Sequence, residues 1–221
     1  MDQNTKKQRV AESVLDYIDN GEILGIGSGS TVNILIDVLP RVKNKIQSIV
    51  SSSIKSTKLL ESNGFEVNEL SDVGKLTKYI DGADEVNKYL QMIKGGGGAL
   101  TREKILANNS DKFICIVDSS KKVETLGKFP LPIEVIPMAR SSVARELIKL
   151  GGRPVLRPDS ITDNKNIILD VHDLKITEPL SLEKNLNNIP GVVTNGIFAI
   201  NHANILLCAK DNEVEVSEPI V

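Results

Sequence analysis

The sequence predicts an α/β fold: a Rossmann-like, mostly parallel sheet with helices on both faces, plus a smaller inserted ferredoxin-like α+β domain. Three observations predict it. Strand and helix segments alternate through the first half of the chain. Some strand segments, such as Phe113-Ile114-Cys115-Ile116-Val117, are apolar throughout, as parallel strands covered on both faces must be. After Phe129-Pro130-Leu131-Pro132 the order changes to β-α-β-β-α-β, the split arrangement of a ferredoxin-like unit.

Taken in order, residues 5–19 carry Val10, Val14, Leu15 and Ile18 at helical spacing, and Asn20-Gly21 is a stop. A strand is expected over 22–26, then a Gly/Ser loop and a helix to about Arg41. A strand at 46–50 precedes a helix at 56–62, which Asn63-Gly64 closes. Residues 65–68 and 78–80 are further strand candidates, followed by a helix over 101–108 and a strand over 112–117. In the smaller domain a strand at 133–136 leads to a helix at 141–150, ended by Gly151-Gly152. Two strands flank a turn at Asp163-Asn164-Lys165-Asn166, and a helix at 181–188 leads to a last strand at 192–200. Residues 203–209 read as a strand returning to the first sheet. The expected domains are 1–128 with 201–221, and 129–200, the smaller one serving oligomerisation.

Composition narrows the function. The apolar fraction is 40% and the charged fraction 25%, ordinary for a globular protein. A net charge of −2, with both signs mixed along the chain, gives no footprint for nucleic acid. With aromatics at 3% and no tryptophan, base-stacking platforms are not expected either. No apolar run is long enough for a bilayer, and the N-terminus lacks a signal-like apolar stretch. Cys115 and Cys208 each lie in an apolar run and read as buried free thiols, suited to a reducing cytosol. The expected setting is cytoplasmic, with a small-molecule partner, no nucleic acid and no membrane.

Three segments carry candidate chemistry. The most informative is Lys94-Gly95-Gly96-Gly97-Gly98-Ala99-Leu100-Thr101-Arg102-Glu103-Lys104. Four consecutive glycines lose much conformational freedom on folding, so they form either a linker or a place where something approaches the backbone closely. Apolar flanks (Met92-Ile93, Ala99-Leu100) favour the cradle over the linker. If Thr101 caps a helix, Glu103 lies in its first turn, where the dipole keeps a carboxylate ionised and able to act as a general base. Lys94 could hold charge developing on oxygen. The plainer reading is that Glu103 only satisfies helix electrostatics between Arg102 and Lys104.

Gly25-Ile26-Gly27-Ser28-Gly29-Ser30-Thr31 lies between a strand and a helix, where free amides and the dipole favour an anion. A serine where the third fingerprint glycine belongs, and no acidic ribose partner at Val50-Ser51-Ser52, argue against a dinucleotide site. No Gly-Lys-Ser/Thr follows, so it is not a P-loop. A monophosphate pocket is favoured over a serine-capped turn. Asp81-Gly82-Ala83-Asp84-Glu85 follows a strand end, where α/β sheets place ligands, but Asp-Gly is equally a common turn. The aspartate spacing is not that of a calcium loop, His172 and His202 lie far along the chain, and no metal or cofactor is expected.

Together these three loops resemble the A-type ribose-5-phosphate isomerase family, over nearly the whole chain. The likeness includes Asp111-Lys112-Phe113-Ile114-Cys115-Ile116-Val117-Asp118, Gly127-Lys128-Phe129-Pro130-Leu131-Pro132, Glu134-Val135-Ile136-Pro137 and Pro190-Gly191-Val192-Val193. It implies a metal-independent aldose–ketose isomerase that interconverts ribose 5-phosphate and ribulose 5-phosphate through an enediolate, as a homodimer or homotetramer. On this resemblance Ser28, Gly29, Ser30 and Thr31 hold the phosphate with Lys121, and Lys7 is a weaker candidate. Asp81, Gly82, Ala83 and Asp84 meet the sugar, the two aspartates handling hydroxyls and ring opening. Lys94 with Gly95, Gly96 and Gly97 stabilises the intermediate, and Glu103 moves the proton. The chain departs from many relatives in having Ser28 for threonine and Gly98 for alanine, neither of which removes a charge or a donor. The alternatives are an amino-sugar phosphate deaminase and a non-catalytic sugar-phosphate sensor.

Overall fold

A computed structural model describes residues 2–219. In chain order the helices are α1 (Gln3–Ser13), α2 (Ser30–Val38), α3 (Ile54–Ser62), α4 (Leu70–Val73), α5 (Leu100–Asn108), α6 (Arg140–Lys149) and α7 (Pro179–Asn187). The strands are β1 (Glu22–Ile26), β2 (Ile46–Ser51), β3 (Leu76–Asp81), β4 (Glu85–Val86), β5 (Met92–Ile93), β6 (Ser110–Asp118), β7 (Leu131–Val135), β8 (Arg153–Leu156), β9 (Ile167–His172), β10 (Val192–Asn195), β11 (Ile197–Phe198), β12 (Ile205–Ala209) and β13 (Val214–Ser217). The chain divides into two compact units, one of Met1–Ala83, Arg102–Lys121 and Ala203–Val221, the other of Asp84–Thr101 and Lys122–His202.

The first unit is built on a six-stranded sheet in the order β13-β12-β6-β3-β1-β2. Every neighbouring pair is parallel except β12–β13. Leu24, Ile26, Ile80, Ile114, Ile116 and Leu207 form one core with Val10, Val14, Val32, Leu35 and Leu60 from the helical segments. Burying each such side chain contributes about 1.5–3 kcal/mol, which holds the strand ends that carry the polar loops. Asp2 caps α1 by accepting from the Thr5 N–H at 3.0 Å. The expected 5–19 helix is α1 followed by a 3₁₀ turn over Val14–Tyr17, and Gly21 at φ 81° completes the stop. Residues 65–68 are not a strand. They make one backbone bond to the edge strand, from Asn68 N–H to Ile49 O at 2.8 Å. Cys115 on β6 and Cys208 on β12 are buried and form no disulfide.

The second unit carries a four-stranded antiparallel sheet in the order β10-β7-β9-β8. That is the order of a ferredoxin-like β-α-β-β-α-β unit. Strand alternation sends Leu131, Ile133, Val135, Leu169 and Val171 into a core with Val143 and Leu147 of α6 and Leu186 of α7. Glu134, Ile168 and Asp170 fall on the opposite face by the same alternation. The expected strand over 192–200 is broken at Gly196: β10 stays in this sheet, and β11 joins a three-stranded sheet, β11-β5-β4. A Cβ at residue 196 would stand 2.4 Å from Lys94 O, so only glycine lets the two backbones come this close. Among the described residues no helix is long and apolar enough to cross a membrane.

Candidate active site

In the first unit the candidate residues cluster where β1 and β3 end. The Gly27 N–H donates to Ile80 O at 2.9 Å and Gly27 O accepts from Ser56 Oγ at 2.8 Å, which fixes the start of the loop. Gly25 and Gly27 are glycines for the sake of β3. A Cβ at 25 would stand 3.0 Å from the Tyr79 ring, and one at 27 would stand 1.9 Å from Asp81 Cγ. Gly29, at φ 107°, is the residue that bends the chain into α2. No side chain caps α2. Ser30 and Thr31 open it, exposed and half-buried, so its first-turn amides and two hydroxyls face one end of the helix dipole.

Asp81 is fully buried and held by donors on both oxygens. Oδ1 accepts from the Ser28 N–H at 3.0 Å and the Gly82 N–H at 2.7 Å, and Oδ2 accepts from the Tyr79 hydroxyl. Burial, then the charges of Asp81 and Glu103, push the Tyr79 hydroxyl well above its ordinary value, so Tyr79 stays a donor. Ser28 Oγ donates to Glu103 Oε1 at 2.7 Å. Glu103, buried in the first turn of α5, is thus joined through Ser28 to Asp81. Lys121 ends a 3₁₀ turn after β6, and Lys7 lies in α1. Both are half-buried, and neither belongs to this chain of hydrogen bonds.

In the second unit the glycine run is folded as a tight turn. Gly95 and Gly98 take φ of 103° and 83°, and the Gly98 N–H donates to Gly95 O at 3.0 Å. Asp84, half-buried, accepts from the Gly96 N–H through Oδ2 at 2.8 Å. Lys94 is buried, tied through its N–H to Gly196 O at 2.9 Å, with Nζ 5.5 Å from the Phe198 ring centroid. Glu85 is bound to the Gly127 and Phe129 N–H groups, so this carboxylate is structural.

Three polar residues of these loops, Tyr79, Arg157 and Asp170, are not among the candidates that the sequence offers. Tyr79 had a usable signal: a tyrosine inside an apolar strand needs a hydroxyl partner, and Asp81 shares its face two residues on. Arg157 and Asp170, which hold the glycine turn, are separated from it in sequence by dozens of residues and gave no signal. Among the described residues no three His, Cys, Asp or Glu side chains group as metal ligands.

Comparison with known proteins shows a family for the whole chain. Residues 48–213 match the profile of the family described as ribose 5-phosphate isomerase A (phosphoriboisomerase A). The chain is 55% identical over 207 residues to ribose-5-phosphate isomerase A of Buchnera aphidicola subsp. Acyrthosiphon pisum (strain Tuc7), covering 94% of this chain and 93% of the relative. A solved ribose 5-phosphate isomerase A from Neisseria gonorrhoeae superposes with a TM-score of 0.97 at 46% identity, covering 100% of this chain and 99% of its own. A D-ribose-5-phosphate isomerase in complex with phospho-erythronic acid superposes with a TM-score of 0.94 at 36% identity, covering 99% of this chain and 100% of its own.

Proposed function

The chain belongs to the ribose 5-phosphate isomerase A family, and from that premise we propose how its own residues carry the reaction. The protein interconverts ribose 5-phosphate and ribulose 5-phosphate, an aldose–ketose isomerisation of the pentose phosphate pathway. The hydrogen on C2, beside the aldehyde, is too weakly acidic for an unaided carboxylate. Its removal leaves an enediolate, so the reaction needs a base and a group that stabilises negative charge on oxygen.

Glu103 is the base. It removes the proton from C2 and returns it to C1. The observation that carries this role is its hydrogen bond from Ser28, which fixes one oxygen of a buried carboxylate in the first turn of α5. Lys94 and the glycine amides stabilise the enediolate oxygens. Asp84, the more accessible aspartate, handles sugar hydroxyls and ring opening together with Asp81, whose donors also brace the loop. The Ser28–Thr31 loop, Gly29 included, takes the phosphate at the α2 N-terminus with the amides, Ser30, Thr31 and Lys121. Gly82, Ala83, Gly95, Gly96 and Gly97 leave backbone close to the sugar. Gripping the phosphate orients C1 and C2 toward the base. The protein acts in the cytoplasm as a homodimer or homotetramer and requires no metal.

Glu103→Gln tests this reading. The amide oxygen can still accept from Ser28, so the variant should fold and bind ribose 5-phosphate. It should lose ketose formation by at least about a hundredfold. Near-normal turnover would refute the assignment.

A further inference from the structure

We infer that Arg157, anchored by Asp170, is a positioning residue that sets the peptide planes of the glycine turn and so aims the Gly97 N–H at the enediolate oxygens. This rests on the reading that the glycine run faces the intermediate.

The geometry lies within the second unit. Arg157 follows β8 and its N–H donates to Ile168 O at 2.9 Å, which places it beside β9. Its Nε and Nη2 grip Asp170 at 2.8 and 2.6 Å, a bidentate fork that leaves Nη1 pointing onward. Nη1 donates to both Gly95 O and Gly96 O, each at 3.1 Å. The side chains of the pair are only 17% and 19% exposed. One guanidinium therefore clamps two successive carbonyls in a segment whose residues have no side chains to restrict them.

A trans peptide points its C=O and N–H in opposite directions. Pinning Gly95 O therefore turns the Gly96 N–H away from Arg157, and that N–H reaches Asp84 at 2.8 Å. Pinning Gly96 O turns the Gly97 N–H away from Arg157 in the same manner. Gly97 is exposed, and among the described residues nothing accepts from its N–H. It is a donor oriented before substrate arrives, which is the condition for stabilising an oxyanion without reorganisation. Lysine cannot reproduce this, because a single ammonium has no planar fork to hold Asp170 and two carbonyls together.

The test compares wild type, Arg157→Lys, Asp170→Asn and Lys94→Ala. Each is assayed for kcat and KM with ribose 5-phosphate, and for inhibition by phospho-erythronic acid and by inorganic phosphate. The acid's carboxylate presents a planar, negatively charged pair of oxygens, like the pair that the enediolate carries on C1 and C2, whereas inorganic phosphate reports the phosphate grip alone. Arg157→Lys should lower kcat at least about tenfold and weaken phospho-erythronic acid by a similar factor. Inhibition by inorganic phosphate should stay within about twofold, and Asp170→Asn should move in the same direction. If either inhibitor is weakened as much as the other, or neither changes in the Arg157 and Asp170 variants, the pair is a structural brace and the inference fails. In that case loss of phospho-erythronic acid binding in Lys94→Ala keeps the reading of the glycine run standing. No loss there overturns that reading too. If Arg157→Lys does not fold, Asp170→Asn decides by the same criteria.

Discussion

Gly27→Ala tests the account where its geometry is tightest. The added methyl would stand 1.9 Å from Asp81 Cγ and 2.0 Å from Oδ1, far inside contact distance. Asp81 is fully buried and cannot retreat without breaking its bonds to the Ser28 N–H, the Gly82 N–H or the Tyr79 hydroxyl. Overpacking costs about 1–3 kcal/mol, and losing one hydrogen bond to a charged group about 1.5–3 kcal/mol, so the variant should be destabilised by about 2.5–6 kcal/mol. Turnover should fall as well, because Ser28 holds both Asp81 and Glu103. Urea unfolding measures the first effect and ketose formation from ribose 5-phosphate the second. Gly27→Ala with Asp81→Ala removes the clash, so the pair should couple favourably by about 0.5–3 kcal/mol while activity stays low. A single variant within about 0.5 kcal/mol of wild type, or strictly additive effects in the pair, would contradict the reasoning.

Two further predictions concern stability. Glu134 is fully buried and accepts from Thr162 at 2.8 Å, Asn166 at 2.9 Å, Asn164 at 3.2 Å and the Thr101 hydroxyl. Glu134→Leu leaves these donors without their acceptor and should cost about 1–3 kcal/mol, read as a lower urea midpoint; an unchanged midpoint would show that the network is dispensable. At Asp118, burial pushes the carboxyl up, but the Ser120 and Gln3 hydrogen bonds and the Lys121 charge outweigh it and hold the group below its usual value. Its contribution is therefore full above about pH 3.9 and lost as pH falls through the lower folded value. Asp118→Asn should flatten the acid limb of the stability profile below about pH 4 and leave the slope near neutrality alone. A wild-type acid limb in that variant would rule this out.

Most of the architecture was legible in the sequence because the central strands are short apolar runs, buried on both faces and bounded by turn residues. β1, β2, β3, β6 and β12 lie at or within a few residues of their expected positions, and residues 203–209 do return to the first sheet. Short or exposed elements were not legible. β4 and β5 have two residues each, too few for a period, and β13 is a half-exposed edge strand. The expected strand at 65–68 failed because hydrophobicity there packs against a core rather than into a ladder, as buried Phe65 shows. A glycine-rich loop after a strand suits an anion, yet Gly25 and Gly27 make room for Tyr79 and Asp81 of β3. Local sequence shows that a side chain is missing. It does not show what fills the space, because the filling residue comes from another strand. The Arg157–Asp170 clamp on Gly95 and Gly96 was illegible for the same reason: it is formed by sheet register.

Isomerisation in deuterated water shows whether a carboxylate moves a proton between the neighbouring sugar carbons. Nuclear magnetic resonance of the ribulose 5-phosphate formed by wild type should show solvent deuterium at C1 in a single orientation, with deuterium at C2 in recovered ribose 5-phosphate. Glu103→Gln should abolish both signals while still binding substrate. Product free of deuterium together with undiminished turnover in Glu103→Gln would mean that hydrogen passes directly between the carbons, and wild-type exchange in the variant would mean that another group is the base.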